Sequence, residues 1–252
     1  MSSFRKRIVL FSLRLGFGLA FLCCLLCVRY VCSMLKPTPA QERTLRKLFD
    51  GNHNDREAAI AAQRPEIQEP IRRLMKAKGN TDKLFDIMFS DLKQSTSAMK
   101  ANPNDQFWRR TAIRTLATTL DGIIFCLKDT TIAAGLLTGH KFTDADLAFL
   151  TEKPQKAGKK PKFLPFRDNL KETFKFFAKV HGAVCGTDFQ QDGFSALCET
   201  YELRNRLVHP KSFMTFCVSD TEKSRAGEAI KWLYEELNRL MDGCHHSIAS
   251  KS

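Results

Sequence analysis

DQFWRRTAIRTLATTLDGIIFCLKD, residues 105–129, decides the fold class of this chain. Its apolar side chains recur with the period of an α-helix and so fall on one face: Ile113, Leu116, Ala117, Leu120, Ile124 and Leu127. Asn104 stands immediately before the segment and belongs to the residue types that cap helix N-termini. The stretch therefore predicts a long amphipathic helix, which must bury its apolar face against other parts of the chain.

The rest of the chain after Pro37 shows the same helical signals. Further helices are predicted after Thr81, from Thr143, from Asp168 to a stop at Gly182, and from Phe194 to His209. A capping box formed by Ser219 and Glu222 predicts the start of a last helix. That helix carries a continuous apolar face: Ala226, Ala229, Ile230, Leu233, Leu237, Leu240 and Met241. No alternating strand pattern competes, so the predicted fold class is all-α.

Two polar stretches interrupt the helical pattern and suggest how the chain is organised. KANPND (100–105) precedes the long helix, and EKPQKAGKKPKFLP (152–165) is a Pro- and Lys-rich loop. We therefore predict an apolar N-terminal segment (1–36), a smaller N-terminal helical region (37–103) and a larger helical domain (104–246).

The first 36 residues resemble a membrane address. A basic trio, Arg5-Lys6-Arg7, precedes an apolar run of 14 residues from 15 to 28, shorter than the ~18–20 residues that span a bilayer. Reading through Arg14 lengthens the run to residues 8–28, which would then contact the membrane. Three interpretations stay open: an uncleaved anchor, an over-extended gene start with Met34 as the initiator, or a segment lying on the membrane surface. The expected location is the cytoplasm, with inner-membrane anchoring if residues 1–36 are translated.

The charge balance indicates what the chain binds. The formal net charge is +13, and residues 1–36 supply six positive charges and no acid, which leaves +7 on the remaining residues. Such a balance favours phosphate-bearing partners, either nucleic acid or an anionic membrane. The five cysteines after residue 36 are scattered without zinc-ligand spacing, so we expect reduced thiols, no metal site and no cofactor.

YELRNRLVHPK, residues 201–211, is the segment most suggestive of chemistry. Asn205 and His209 are four positions apart and share a helical face. Arg204 does not share that face on an ideal helix, but Pro210 disfavours helical geometry at His209 and so ends the helix there. By itself the pattern is short, and an Arg and a His at a helix C-terminus can simply complement the helix dipole.

In its helical context RNRLVHP resembles the HEPN family, whose hallmark is an Arg, a polar residue directly after it, and a His a few residues later. Arg204, Asn205 and His209 match these three positions, and FWRRTAIRTLATTLDG resembles the first helix of uncharacterised bacterial HEPN-like proteins. Some HEPN toxins have a tyrosine two residues after the His, where this chain has Lys211, so regulation through that tyrosine is not expected.

The resemblance implies a HEPN-like helical bundle and a metal-independent endoribonuclease, acting as a homodimer whose two motifs face each other across a cleft. Arg204 would hold the scissile phosphate and His209 would transfer protons, leaving 2′,3′-cyclic phosphate ends. Asn205 would orient the histidine or the phosphate. A role in defence or stress response, with an antitoxin or sensor protein as partner, would fit such an enzyme. The alternative is a non-catalytic HEPN-like module that binds RNA, a nucleotide or a protein.

Two further sets of polar residues are candidates for the same site. Arg110, Arg114, Thr118 and Asp121 form a stripe on the long helix, and Arg114 or Asp121 would face the motif if the stripe is functional. A solvated helix face explains the stripe equally well. RNA-backbone contacts are predicted for lysines of the 152–165 loop and of the helix after it: Lys159, Lys160, Lys162, Lys171 and Lys175. Each lysine alone is also typical of an ordinary protein surface.

Overall fold

The computed structural model describes residues 53–151 and 164–249, which are largely helical and include no strand. The helices are α1 (His53–Ala61), α2 (Pro65–Ala101), α3 (Gln106–Thr138), α4 (Asp144–Thr151), α5 (Phe166–Val180), α6 (Asp192–Val208), α7 (Phe213–Phe216) and α8 (Asp220–Ala249). The all-α prediction is confirmed. Across these ranges no helix combines the length and the apolar character needed to cross a bilayer. The predictions for 1–36 and for Lys159, Lys160 and Lys162 lie outside the described residues.

The two longest helices, α2 and α3, form a hairpin joined by a short turn. The turn closes with backbone hydrogen bonds from Asn102 N to Ala98 O and from Asp105 N to Asn102 O. Asp105 is the N-cap of α3, because its backbone is extended and its side chain accepts a hydrogen bond from Phe107 N at 2.7 Å. The cap predicted at Asn104 is therefore wrong by one residue.

Helix α2 also begins earlier than the sequence predicts. Thr81 does not start a helix but is buried near the middle of α2, which begins at Pro65. Proline is well suited to the first position of a helix, since its missing N–H would have no intrahelical partner there. Residues 78–83 (KGNTDK) of α2 are polar apart from one glycine. Packing of α2 against α3 keeps the helix continuous through this stretch.

One large core holds the helices together. It takes side chains from five helices: Phe85, Phe89 and Leu92 of α2, Leu120, Ile123 and Leu127 of α3, Phe174 and Phe177 of α5, Phe194 and Leu197 of α6, and Leu233 and Leu237 of α8. Fully burying such a side chain contributes about 1.5–3 kcal/mol. The predicted boundary between regions 37–103 and 104–246 falls at the α2–α3 turn, and side chains from both sides of it share this core.

Local sequence signals determine where α5 ends and where α8 begins, as the sequence predicts. Gly182 has a φ of 70° just after α5, a conformation that glycine adopts without steric cost. At the start of α8, Ser219 Oγ accepts from Glu222 N at 3.2 Å and Glu222 Oε2 accepts from Ser219 N at 2.8 Å, which is the predicted capping box.

Helix α6 is held tightly against α8. Gly193, in the first turn of α6, lies so close to α8 that a Cβ atom at this position would come within 2.6 Å of Trp232 Cβ. Only glycine permits this approach. Since α6 carries the RNRLVHP segment, its packing on α3 and α8 determines where that segment lies.

A buried arginine joins the start of α3 to the start of α8. Arg109 is only 5% exposed. Its guanidinium donates to Pro103 O at 2.7 Å, to Val218 O at 2.8 Å and to Asp220 Oδ1 at 2.7 Å. Gln106 reinforces the join, because its side chain exchanges two hydrogen bonds with the backbone of Val218. The chain between α6 and α8 is thereby tied to α3.

We predict that Arg109→Ala lowers the free energy of unfolding by about 2–4 kcal/mol, because it removes a buried side chain with three hydrogen bonds and leaves Pro103 O without its donor. Urea denaturation followed by circular dichroism measures the change. The neighbouring Arg110→Ala is the matched control and should cost less than about 1 kcal/mol, since Arg110 is half-buried and stacks on Phe216. Equal losses for the two variants would contradict the assignment of the join to Arg109.

Candidate functional site

The RNRLVHP segment lies at the exposed C-terminal end of α6. Helix α6 ends at Val208, and His209 has left helical geometry with φ −122° and ψ 63°, although its backbone N still donates to Asn205 O at 3.0 Å. Pro210 accounts for this ending, as the sequence predicts. Leu203 and Leu207 are buried beneath the segment against α3 and α8. Their burial turns the polar residues of the segment outward.

The structure pairs two of the three predicted catalytic residues. Arg204 Nη1 donates a hydrogen bond to Asn205 Oδ1 at 3.1 Å, at the protein surface. His209 is exposed at the helix end, and among the described residues its ring hydrogen-bonds to neither Arg204 nor Asn205. Within one copy of the chain, therefore, Asn205 is placed to orient the guanidinium, and the imidazole is left open to solvent.

Two residues of the predicted polar stripe contact α6 directly. Arg114 Nη2 donates to Leu207 O at 2.8 Å, and Asp121 Oδ1 accepts from Tyr201 OH at 2.8 Å. The carbonyl of Leu207 is among the last of α6 and has no partner within the helix, so Arg114 supplies the missing donor. Arg204 and Asn205 lie between these two contacts along α6, which runs antiparallel to α3 here.

Tyr201 is a site residue whose contacts could not be predicted from its spacing. Its ring stacks on the ring of Phe166, with centroids 3.8 Å apart and planes 7° from parallel. Phe166 begins α5, just after the Lys-rich loop. Tyr201 therefore contacts both α3 and α5.

Arg206 was not predicted to matter, yet it holds the chain after the motif. Its guanidinium donates to Thr215 O at 3.0 Å and to Glu222 Oε1 at 2.6 Å. The second arginine of RNRLVHP thus has a structural role, whereas Arg204 faces outward. Helical spacing could have distinguished the two arginines. Leu203 and Leu207 define the buried face of α6, and Arg204 and Arg206 lie on opposite sides of that face.

The described lysines predicted to bind RNA differ in how they are held. Lys175 is exposed and forms an ion pair with Glu172 at 2.8 Å, and this hydrogen bond raises the pKa of Lys175. Lys171 is half-buried, and its Nζ lies 5.3 Å from the ring centroid of Phe194. Both lysines lie on α5, and each contacts a side chain of the same chain.

Charge is distributed unevenly along α6. In its N-terminal half, Asp192 and Glu199 bind Arg225 of α8, and these hydrogen bonds hold the pKa of both carboxyl groups below their usual values. After Glu202, no acidic residue occurs before Asp220, and this interval contains Arg204, Arg206, His209 and Lys211. The motif end of α6 is therefore a basic surface suited to an anion. In the described ranges no group of three or more His, Cys, Asp or Glu side chains is arranged to hold a metal ion.

We predict that the Tyr201–Asp121 hydrogen bond contributes about 0.5–1.5 kcal/mol to the free energy of unfolding. Tyr201→Phe, Asp121→Ala and the double variant form a double-mutant cycle that isolates this contribution, and Tyr201→Phe preserves the stacking on Phe166. Urea denaturation of the four proteins provides the measurement. Losses that add within about 0.3 kcal/mol would mean that the two side chains do not interact in solution.

The family resemblance of the motif rests on the residues of this chain alone. No protein-family model, no curated protein and no solved structure matches the chain.

Proposed function

We propose that this chain is a HEPN-type endoribonuclease that cleaves RNA, without a metal ion, at the C-terminal end of α6. The observation that carries the proposal is a half-buried Arg204 hydrogen-bonded to the exposed Asn205, beside an exposed His209, at the end of a helix with no acidic residue in the interval 203–219. These are the residue types that phosphodiester cleavage by a ribose hydroxyl requires, and the interval that carries them contributes no carboxylate of its own.

The proposed chemistry uses each residue of the motif. The imidazole of His209 takes the proton from a ribose 2′-OH, since imidazole accepts and releases protons near neutral pH. The 2′-oxygen then attacks the adjacent phosphorus, and the bond to the 5′-oxygen breaks. The leaving oxygen takes up a proton, so the products carry a 2′,3′-cyclic phosphate and a 5′-OH.

Arg204 has the electrostatic role in this scheme. A guanidinium is always cationic and presents a fork of N–H donors, so it can hold the scissile phosphate and stabilise the negative charge that develops on it. Asn205 is a positioning residue, because its Oδ1 accepts one guanidinium N–H and so restricts the orientation of Arg204. The contacts of Arg114 and Tyr201 with α3 and α5 support this end of α6 on both sides.

One copy of the chain supplies one His209, whereas the scheme needs a base and an acid. We therefore propose a homodimer in which two motifs face each other across a cleft, so that the second His209 protonates the leaving oxygen. Lysines 159, 160, 162, 171 and 175 would contact the RNA backbone outside the cleft. Such an enzyme would act in the cytoplasm, where an antitoxin or a sensor protein would control it.

The test compares His209→Ala with wild type, using the purified full chain and RNA in the presence of EDTA. We expect wild type to produce fragments with cyclic phosphate ends, and the variant to be at least about 100-fold slower, since general acid–base catalysis contributes ~10²–10⁴-fold. His246→Ala is the matched control, because it removes an exposed histidine at the far end of α8. Intact RNA with wild type, or equal cleavage by His209→Ala, would refute the proposal.

A second candidate function is favoured by one observation. His209 makes no hydrogen bond to Arg204 or Asn205 within the described part of one copy, so the motif could also serve a non-catalytic module that binds RNA, a nucleotide or a protein. In that case Arg204→Ala would weaken binding, while no cyclic phosphate product would form with any variant.

A further inference from the structure

Two large apolar side chains are largely exposed to solvent just after the motif. Phe213 and Met214, the first residues of α7, are 79% and 75% exposed, and Val208 at the end of α6 is 43% exposed. Phe213 has no ring contact with another aromatic residue among the described parts of the chain. Exposed apolar side chains grouped beside a candidate site usually mark a binding surface.

Hydrogen bonds fix the short turn that carries these side chains. Thr215 Oγ1 accepts from Lys211 N at 3.1 Å and from Ser212 N at 2.9 Å, and Ser212 Oγ accepts from Thr215 N at 3.3 Å. Arg206 holds the same turn through Thr215 O at 3.0 Å. The exposure of Phe213 therefore results from a defined turn and does not reflect a frayed helix end.

The underside of the turn is anchored as well. Phe216 packs with the small core between α3, α6 and α8, and its ring lies 4.2 Å from Arg110 Cζ and 5.6 Å from Arg114 Cζ. Within one short helix, the second phenylalanine is thus turned inward and the first outward. Together with the bond from Arg206 to Thr215 O, this packing holds the turn that carries Phe213 against the end of α6.

The charge around Phe213 selects the chemistry of its partner. Arg204, His209 and Lys211 lie in the same acid-free interval as Phe213. Two such patches in direct contact would bring like charges together, which costs free energy, whereas a cleft that holds an anion between the two motifs avoids this contact. An anion with flat apolar faces is complementary instead. Unpaired nucleotides have both properties, because their phosphates are negative and their bases have exposed π-faces.

We propose that Phe213, with Met214 beside it, is a stacking platform for an unpaired base next to the phosphate held by Arg204. The substrate class is then single-stranded RNA, since the base faces of a duplex are covered by neighbouring bases. This inference rests on the proposed function and specifies its substrate. In a dimer, the two platforms would lie on either side of the cleft and contact the RNA, not each other.

The test measures RNA binding in the His209→Ala background of the full chain, so that the RNA is not cut. The probes are a fluorescein-labelled single-stranded RNA and the same strand annealed to its complement, at one fixed salt concentration. We expect Phe213→Ala to weaken single-strand binding about 5- to 100-fold, the range that loss of one stacked base produces, and Phe213→Trp to retain it. Duplex binding should change less than twofold.

Ile87→Ala is the matched control, because Ile87 is an apolar side chain of α2 that is 60% exposed, and it should bind both RNAs as the parent does. Thermal unfolding should be unchanged by Phe213→Ala, since the side chain it removes is exposed. Photocrosslinking of RNA containing 5-iodouridine should attach the strand at Phe213, as mapped by mass spectrometry.

The outcomes separate this inference from the function on which it rests. If the chain binds and cuts RNA but Phe213→Ala binds single strands normally, the platform is refuted and the proposed function stands. If Phe213→Ala instead dissociates a dimer and leaves RNA affinity unchanged, the surface is a contact between copies and the platform is refuted. RNA binding that depends on Phe213, without cleavage by wild type, would support the platform and refute the endoribonuclease. A parent chain that binds no RNA would refute both.

Discussion

Burial of the apolar face of α3 is the constraint on which the rest of the structure depends. That face packs against α2 on one side and against α5 and α6 on the other, so the rotation of α3 about its axis is fixed. This rotation also determines the direction of the polar stripe on α3, which includes Arg114 and Asp121. Arg114 and Asp121 reach α6 because Leu116, Leu120 and Ile123 are buried. The site is therefore a consequence of the core.

Arginine side chains on α3 donate hydrogen bonds to backbone carbonyls near the end of α6 and the start of α8. Arg114 donates to Leu207 O at the end of α6, and Arg109 donates to Val218 O just before α8. Both carbonyls lie just outside the segment 208–217, in which residues 208–214 are exposed. The guanidinium is well suited to this work, because several N–H donors on one rigid group can satisfy several acceptors. The flanks of the segment are thereby held while its outer surface stays open.

Such an arrangement matches what a binding site needs. Side chains that contact a substrate act best when their neighbours already hold them in place, since less conformational entropy is then lost on binding. Arg204 is restrained by Asn205, and Phe213 by the hydrogen-bonded turn around Thr215. Neither restraint contributes much to stability, because both lie at the surface. Both restraints orient a side chain, which the proposed cleavage and binding of RNA would require.

The sequence alone determined the features that arise from neighbouring residues. Helical periodicity established the all-α class, Pro210 the end of α6, Gly182 the end of α5, and Ser219 with Glu222 the start of α8, because each signal acts within one or two turns of the backbone. The same local information predicted Asn104 as the N-cap of α3, whereas the structure places the cap at Asp105, one residue later. Local information also could not show that α2 continues through Thr81, since packing on α3 stabilises that stretch.

Contacts between residues distant in sequence were decided by the tertiary structure. Arg114 and Leu207 are 93 positions apart, Asp121 and Tyr201 are 80 apart, and Arg109 and Val218 are 109 apart. A periodic pattern places each side chain on a face but does not say which carbonyl or ring will lie opposite. That choice follows from how the helices pack together, and it determines which polar residues are structural and which remain exposed at the candidate site.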